Sequence, residues 1–235
     1  MQYFKYFPKL QYDLDDNKAT KEIVDVFRFA KIVSNTTVDD ITLYSYYDVI
    51  DGERPDHVSQ RLYGTPDYYW TFFLVNPEMK NLFNDWPMSS SQLEDHVNLA
   101  YPGHVLNSDD DFFNKFNIGE TVQGILSSAT GVVAAKDPNL GWIRITGKTG
   151  SFRAESIQGQ TSNDIITITG ETNYKYATHH FSTADGIVPK GTAGAIKVTN
   201  EKYEFDENDK RRRIKVVKPE KVGDIAQQFR NIING

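Results

Sequence analysis

The segment from Tyr46 to Trp86 constrains the fold more than any other part of the chain, because its prolines and glycines fix where helices start and stop. Pro55 suits the first position of a helix, since its φ angle is already helical and no N–H is needed there. Gly64 suits the left-handed conformation that ends a helix. Thr65 and Pro66 supply an N-cap and a first-turn proline for a second helix. The segment therefore predicts two short helices joined at a glycine corner.

Strand and helix signals surround this corner. Residues 38–49 are rich in Thr, Tyr, Ile and Val, which predicts a β-strand that runs into an Asp51-Gly52 turn. In the first helix Val58 and Leu62 are four residues apart, so they share one face. The second helix should end at Asn76, because the residue before a proline avoids the helical region. Its apolar stripe consists of Tyr69, Trp70, Phe73 and Leu74.

This strand-helix-helix pattern resembles a LysM module, a small βααβ fold. The matching residues are Val49, Gly52, Val58, Leu62, Tyr63-Gly64, Trp70 and Asn76. A more specific resemblance rests on the longer string GERPDHVSQRLYGTPDYYW, followed by Asn76 and then Asp85-Trp86-Pro87. This string resembles the gene 53 baseplate wedge proteins of contractile-tailed bacteriophages, which carry a LysM-like core built around an RPxxxxxxLYGxxxxYW signature.

Two flanking segments extend the resemblance. Phe4, Phe7-Pro8 and residues 25–28 look like the N-terminal arm of the family, and residues 212–217 and 225–233 look like its closing strand and helix. The intervening residues depart from the family pattern and look like an insertion. The implied fold class is α+β, in four parts: residues 1–42 as N-terminal arm and helix, 43–102 as LysM-like wedge core, 103–200 as inserted β domain, and 201–235 as a strand and helix that return to the core.

The ends of the chain are rich in apolar side chains. Residues 21–33 carry Ile23, Val26, Phe27 and Ala30 at helical spacing, which predicts a helix. Residues 1–20 are too apolar for a free tail, and the last helix, from Pro219, has an apolar face too wide to stay in water. Each of these ends either packs on this chain or docks on a neighbouring subunit. A further short helix is predicted after Ser89 to Ser91.

From Phe112 onward Gly, Ser, Thr and β-branched residues dominate. Short strands are predicted at 121–126, 130–135, 142–146, 165–169 and 195–199. The sequence GETVQG at 119–124 is weakly echoed by AESIQG at 154–159. Several short strands at this spacing predict a small all-β barrel or sandwich.

Composition limits the function. The 235 residues include no cysteine, which excludes disulfides and cysteine nucleophiles, and the net charge of −6 argues against nucleic-acid binding. The apolar runs are too short to span a membrane, and no signal peptide opens the chain, so we expect a soluble protein made in the cytosol. The 13% aromatic content favours protein partners, although a Tyr-rich core would explain it equally.

The sequence contains few residues in patterns that are typical of catalysis or metal binding. Glu94 and Asp95, or residues 109–111, are acids, but sequence neighbours do not form a pair spaced about a pocket. His179 and His180 are adjacent in a predicted β region, so we expect them on opposite faces and no shared metal ion. The basic run at 210–213 follows acidic residues closely enough for a hairpin to place the two signs opposite each other. We expect it to make salt links within the chain or to a partner rather than to grip phosphate.

The resemblance implies a structural, non-enzymatic component of a virion tail baseplate, assembled in the host cytoplasm, with no cofactor. It would clamp inner wedge proteins and join adjacent wedges around the hub or tail tube, with no nucleic-acid or membrane partner. Expected interface anchors are Arg54, Tyr63, Tyr69, Trp70, Trp86 and Phe229. Several of these could equally be core residues, and for Trp70 and Phe229 the core is the favoured interpretation. The alternatives are a LysM module that binds peptidoglycan or N-acetylglucosamine polymers and, further off, a cell-wall hydrolase.

Overall fold

The computed structural model describes residues 7, 9–13, 20–24, 42–80 and 84–234. The chain divides into two compact units: residues 1–90 with 208–235, and residues 91–207. Both contain helices and antiparallel sheets, consistent with the predicted α+β class. No helix in the described ranges is long and apolar enough to cross a membrane.

The elements are numbered along the chain. The helices are α1 Pro55–Tyr63, α2 Thr71–Val75, α3 Ser90–Ala100, α4 Asn200–Lys210 and α5 Pro219–Asn234. The strands are β1 Lys9–Asp13, β2 Thr20–Val24, β3 Tyr44–Asp48, β4 His104–Asn107, β5 Thr121–Gly124, β6 Thr130–Asp137, β7 Trp142–Thr149, β8 Glu155–Gly159, β9 Ile165–Ile168, β10 Gly170–Asn173, β11 Thr178–Thr183, β12 Gly186–Val188, β13 Ile196–Thr199 and β14 Arg213–Val217.

The predicted corner between two helices is confirmed in the first unit. Helix α1 begins at Pro55 and ends at Gly64, whose φ of 72° is the left-handed conformation expected there. The Thr65 side chain accepts a hydrogen bond from the Asp67 N–H, as an N-cap should. The second helix is shorter than its apolar stripe suggests, because a single 3₁₀ turn at Pro66–Tyr68 precedes α2.

The strands on either side of these helices pair with each other. β3 and β14 run antiparallel, with Tyr44 opposite Val217 and Asp48 opposite Arg213. The core of the first unit lies between this two-stranded sheet and the helices. Its buried residues include Val49, Val58, Phe72, Met79, Trp86, Ile214 and Val216. A second cluster, of Tyr44, Val75, Val217, Val222 and Ile225, attaches α5 to the same unit.

The helix predicted over residues 21–33 is wrong at its start. Lys21 to Val24 belong to β2, which pairs antiparallel with β1 in a register that places Lys9 opposite Val24. Pairing with the preceding strand β1 outweighs the helical spacing of the apolar residues, because β-branched residues such as Ile23 also favour strands. The remainder of the predicted helix, and the strand predicted from residue 38 to 41, lie outside the described residues.

The second unit is built on a seven-stranded antiparallel sheet in the order β10-β4-β7-β6-β5-β8-β9. β9 and β10 are separated by Thr169 alone, and the Thr169 N–H donates to the Asn107 carbonyl at 2.8 Å. Since β10 is already paired with β4, this contact nearly closes the sheet on itself. The side chains inside it are apolar: Leu106, Phe112, Phe116, Val122, Ala129, Val133, Ile143, Ile145, Phe152, Ile157, Ile166 and Ile168.

Two predictions for the second half of the chain are wrong. The acidic segment at 200–210 does not form a hairpin with the basic run, because it is helix α4, in which Lys202 and Asp206 form an i,i+4 ion pair. His179 and His180 do not lie on opposite faces. The register of β11 against β13 shifts between Thr178 and His180, and this irregularity brings the two histidine Nδ1 atoms within 2.8 Å of each other.

Candidate protein interface

The turn that precedes α1 is held by a buried carboxylate. Gly52 has a φ of 71°, and the Glu53 carboxylate behind it accepts hydrogen bonds from the Tyr47 hydroxyl at 2.8 Å and the Ile50 N–H at 3.2 Å. The Arg61 guanidinium lies 3.1 Å from the same carboxylate. The Trp86 indole N–H donates to the Glu53 carbonyl at 2.8 Å. The glycine-glutamate pair of the signature therefore ties strand, helix and Trp86 together.

Helix α1 directs its polar signature residues inward as well. The Ser59 hydroxyl donates to the Thr65 carbonyl at 2.7 Å and accepts from the Tyr68 N–H at 3.2 Å, which fixes the corner after the helix. The Tyr63 hydroxyl donates to the Val217 carbonyl at 2.9 Å. Burial raises the pKa of Tyr63 to about 12, so this phenol stays protonated and remains a donor.

Asn76, which ends α2, joins the helix to the closing strand. Its side-chain amide donates to the Phe72 carbonyl at 2.7 Å and to the Lys215 carbonyl at 2.8 Å, and its oxygen accepts from the Lys215 N–H at 2.8 Å. An amide side chain can make this two-way bond because it carries both donors and an acceptor. Asn76 therefore does more than end the helix, because it also ties α2 to strand β14.

The aromatic residues around Trp70 form a cluster with the C-terminal helix. The Trp70 and Phe229 ring centroids are 4.6 Å apart, and the Phe7 ring lies 6.2 Å from Phe229. All three side chains are buried, together with Ala226. Of the two alternatives for the apolar ends, packing on this chain is the one observed at Phe7 and along the buried face of α5.

The six predicted interface residues differ in exposure. Trp70, Trp86 and Phe229 are buried, and Tyr63 and Tyr69 are half-buried. Arg54 is the one with a largely exposed side chain, and its guanidinium lies 3.1 Å from Asp56. Most of the aromatic signature is therefore turned toward the unit's own core, and the surface carries the remainder.

Two exposed apolar side chains of the same unit were missed from the sequence. Tyr46 on β3 is 60% exposed, and Ile50, in the turn after that strand, is 55% exposed. The Arg213 guanidinium lies over the Tyr46 ring at 5.0 Å from its centroid. The one sequence feature that could have predicted this exposure is the position of Ile50 beside the Asp51-Gly52 turn, because turns lie at the surface.

The basic run makes salt links within the chain, as one of the two sequence-based alternatives predicted. The Arg212 guanidinium lies 2.9 Å from the Asp51 carboxylate and 3.7 Å from that of Asp209. Asp51 also accepts from the Ser90 N–H at 2.9 Å. Desolvation opposes the ionisation of Asp51, but the hydrogen bonds from Arg212 and Ser90 and the charge of Arg212 outweigh it, so the pKa of Asp51 is lowered.

The acids considered for catalysis are placed differently. Glu94 and Asp95 are exposed on α3. Asp110 accepts from the Thr167 N–H of β9 at 2.7 Å, and Asp111 accepts from the Phe113 N–H two residues on at 3.0 Å, so both carboxylates accept from backbone N–H groups. In the part of the chain that the structure describes, no three His, Cys, Asp or Glu side chains are grouped to hold a metal ion.

Two buried glutamates that sequence reasoning missed organise the second unit. Glu120 accepts from the Asn117, Thr161 and Ser162 N–H groups at 2.8, 3.0 and 2.7 Å. Burial opposes its ionisation, but these backbone donors prevail and lower the pKa of Glu120 to about 2. Glu155 accepts from the Leu126 and Ser127 N–H groups at 2.7 and 2.8 Å. Its pKa is likewise about 2, because these bonds outweigh its burial.

Comparison with known proteins found one family that matches part of this chain. Residues 2–111 match the model of a family described as base plate wedge protein 53. A search among curated proteins found no match. The matched residues contain α1, the glycine corner, α2 and Trp86, so the match rests on the part of the chain that carries the signature.

Proposed function

We propose that this chain is a structural protein of a phage tail base plate that clamps inner wedge proteins and joins adjacent wedges, because its residues 2–111 match the base plate wedge protein 53 family. We further propose that it meets the central hub or tail tube of a contractile tail and that it assembles in the host cytoplasm. The observation that carries the proposal is the family match over the signature-bearing segment.

The topology of the first unit supports a LysM-like core. The order is strand β3, helix α1, helix α2 and strand β14, and the two strands pair antiparallel. This is the βααβ arrangement that the resemblance implies. We propose that residues 91–207, which separate α2 from β14 and form the second compact unit, are an inserted β-barrel domain. The nearly closed sheet favours a barrel over a sandwich.

We place the partner contacts on the exposed part of the first unit. Arg54 and the half-buried Tyr69 remain the proposed contacts from the signature, and the exposed Tyr46 and Ile50 join them. Aromatic and arginine side chains are enriched at protein interfaces, whereas large apolar side chains exposed to water are disfavoured. Tyr63, Trp70, Trp86 and Phe229 would support this surface from beneath.

Binding of a glycan has less support than a role in base plate assembly. Sugar-binding grooves present aromatic rings to solvent, whereas both tryptophans of the first unit, Trp70 and Trp86, are buried. Cell-wall hydrolysis also has less support, since the Asp110 and Asp111 carboxylates already accept hydrogen bonds from backbone N–H groups. We propose a non-catalytic role without a cofactor, and without nucleic acid or membrane as partner.

An amber mutation in the gene for this chain tests the proposal. Infection of a non-suppressing host should yield incomplete tails that lack an assembled base plate, visible by electron microscopy. Supplying the full-length chain from a plasmid should restore complete particles. Complete, infectious particles formed without the chain would contradict the assembly role. If complete particles form but fail to clear a cell-wall suspension that native particles clear, the hydrolase alternative would replace it.

A further inference from the structure

The sequence echo in the second unit is a structural repeat with internal symmetry. Strands β5 and β8 pair antiparallel, with Gln123 opposite Gln158, Val122 opposite Gly159 and Gly124 opposite Ile157, so equivalent residues of the two segments exchange places across the pair. The Ser128 N–H donates to the Gly124 carbonyl at 3.0 Å, and the Asn163 N–H donates to the Gly159 carbonyl at 3.1 Å. Segments 119–129 and 154–164 therefore form the same strand-and-turn unit twice.

The backbones of the two turns match closely. Ser128 and Asn163, at equivalent positions, both take the left-handed conformation, with φ of 58° and 59°. In each turn two consecutive N–H groups donate to one buried glutamate, Glu155 for the first turn and Glu120 for the second. The fold therefore imposes the same backbone on both turns, and it leaves the exposed side chains free to differ.

Those exposed side chains differ in chemistry. The first turn carries Ile125 and Leu126, which are 53% and 64% exposed, where the second carries Gln160 and Thr161. Because the polar pair satisfies the same backbone, the fold does not require the apolar pair. Exposing two adjacent large apolar side chains has a solubility cost that selection would remove unless they had a use.

A cation accompanies the apolar pair. The Arg153 guanidinium donates to the Leu126 carbonyl at 3.2 Å, and among the described residues it has no acidic partner. The Leu126 N–H is held by Glu155 at the same time. The turn is therefore a rigid apolar projection with an arginine beside it. Burying an exposed leucine or isoleucine side chain favours binding, arginine is among the residue types that contribute most to it, and a preordered turn loses less entropy when it binds.

We propose that Ile125 and Leu126 insert into an apolar pocket, bordered by a carboxylate, on a different protein of the base plate. Arg153 would pair with that carboxylate. The proposal rests on the assembly role proposed above, but it concerns the second unit, beyond the residues matched by the family model. The charge of Arg153 selects an acidic rim. Glu155, the acid of this turn, is buried and already accepts from the Leu126, Ser127 and Arg153 N–H groups, which argues against a second copy of the same turn as the partner.

Competitive incorporation into particles tests this contact. The native chain and the double variant Ile125→Gln/Leu126→Thr, which copies the second turn, are supplied in equal amounts to cells infected with the amber phage. Purified tails should contain the variant at a level reduced at least about tenfold, since loss of apolar anchors weakens binding by that order. The reciprocal variant Gln160→Ile/Thr161→Leu should enter tails in equal proportion, and both variants should have the thermal midpoint of the native chain.

A photo-crosslinking residue at position 126 or 161 of the full-length chain gives an independent readout. Illumination of intact particles should link position 126 to another base plate protein and leave position 161 unlinked. Equal incorporation of the first double variant, or a link from 126 to a second copy of this chain, would overturn the proposed contact. Such results would leave the assembly role intact, whereas absence of the native chain from purified tails would refute that role.

Discussion

Glu120 and Glu155 each hold the turn that follows the other's strand. Glu120 lies just before β5 and accepts from the Ser162 N–H at 2.7 Å in the turn after β8. Glu155, at the start of β8, accepts from the Ser127 N–H at 2.8 Å in the turn after β5. This reciprocal bonding turns two similar segments into one interlocked pair of strands, so removing either carboxylate should loosen the second unit.

Replacing either glutamate by alanine should lower the free energy of unfolding of the second unit by about 2–3 kcal/mol, because charged hydrogen bonds are lost and buried N–H groups lose their acceptor. Urea titration of the full-length chain would measure the change. Glu94→Ala, at an exposed position of α3, is the matched control and should change it by less than about 0.5 kcal/mol. Equal stability of Glu120→Ala and the control would show that the carboxylate does not hold the turn.

The same carboxylates should make the second unit sensitive to acid. Their folded-state pKa of about 2 lies below the ordinary value of 4.5, so their contribution to stability is complete above pH 4.5 and is lost as pH falls toward 2. The urea midpoint of the native chain should therefore drop between pH 4.5 and pH 2. The double variant Glu120→Gln/Glu155→Gln cannot titrate at these positions, so its midpoint should fall less. Parallel curves for the two proteins would refute the assignment.

The two turns also need glycine next to these carboxylates. A Cβ at Gly124 would lie 2.7 Å from the Glu155 Oε1 atom, and a Cβ at Gly159 would meet the Glu120 Oε1 atom. Gly124→Ala and Gly159→Ala should each lower the unfolding free energy by about 1–3 kcal/mol, because the carboxylate must leave its donors.

At Gly223 an alanine substitution should have the opposite effect on stability. It lies within α5, and a Cβ there would have no neighbour within 4 Å. Gly223→Ala should therefore raise the unfolding free energy by about 0.5–1 kcal/mol, because alanine loses less backbone entropy in a helix. The three variants can be compared by thermal unfolding. A destabilised Gly223→Ala chain, or unchanged Gly124→Ala and Gly159→Ala chains, would contradict these steric assignments.

Trp70 and Phe229 should be energetically coupled. Each single alanine substitution should cost about 3–5 kcal/mol of the stability of the first unit, because a buried aromatic ring is removed. The double variant should cost less than the sum by about 0.5–1.5 kcal/mol, since the contact between the rings can be lost only once. Denaturant unfolding of the native chain, the two single variants and the double variant would complete this double-mutant cycle. Strict additivity would show that α5 is not attached through this pair.

Local rules were sufficient where the backbone conformation is dictated by one residue. Pro55, Gly64 and Thr65 fix the start of α1, its left-handed end and the cap of the following turn, and all three are where the sequence placed them. The interpretation of the basic run as a source of intrachain salt links was also correct for Arg212, although only Asp209 is near it in sequence and its shorter ion pair is to the distant Asp51.

Pairing and packing between elements decided the structure that local rules missed. Strand β2 replaces the first part of a predicted helix because β1 lies beside it. Helix α4 lacked an apolar stripe that would have marked it, since Asn200 and Asn208 are among its buried residues. The echo of GETVQG was visible in the sequence, but the roles of Glu120 and Glu155 were not. Those roles depend on β5 pairing with β8, and the sequence alone does not specify that pairing.

The exposed surface was the least predictable part of the candidate interface. Aromatic content drew attention to Trp70, Trp86 and Phe229, which the fold buries. Tyr46 and Ile50 are exposed because of how β3 and the following turn are oriented against the helices, and that orientation follows from tertiary packing. Their role in binding remains a prediction, alongside that of Arg54.

The decisive experiment for a role in base plate assembly is a density map of the intact virion. We expect density for this chain within the base plate at the distal end of the tail, with the first unit against other wedge proteins. We also expect the Ile125-Leu126 turn to be covered by a different protein. A base plate fully accounted for by other chains, with no density for this one, would refute the assembly role.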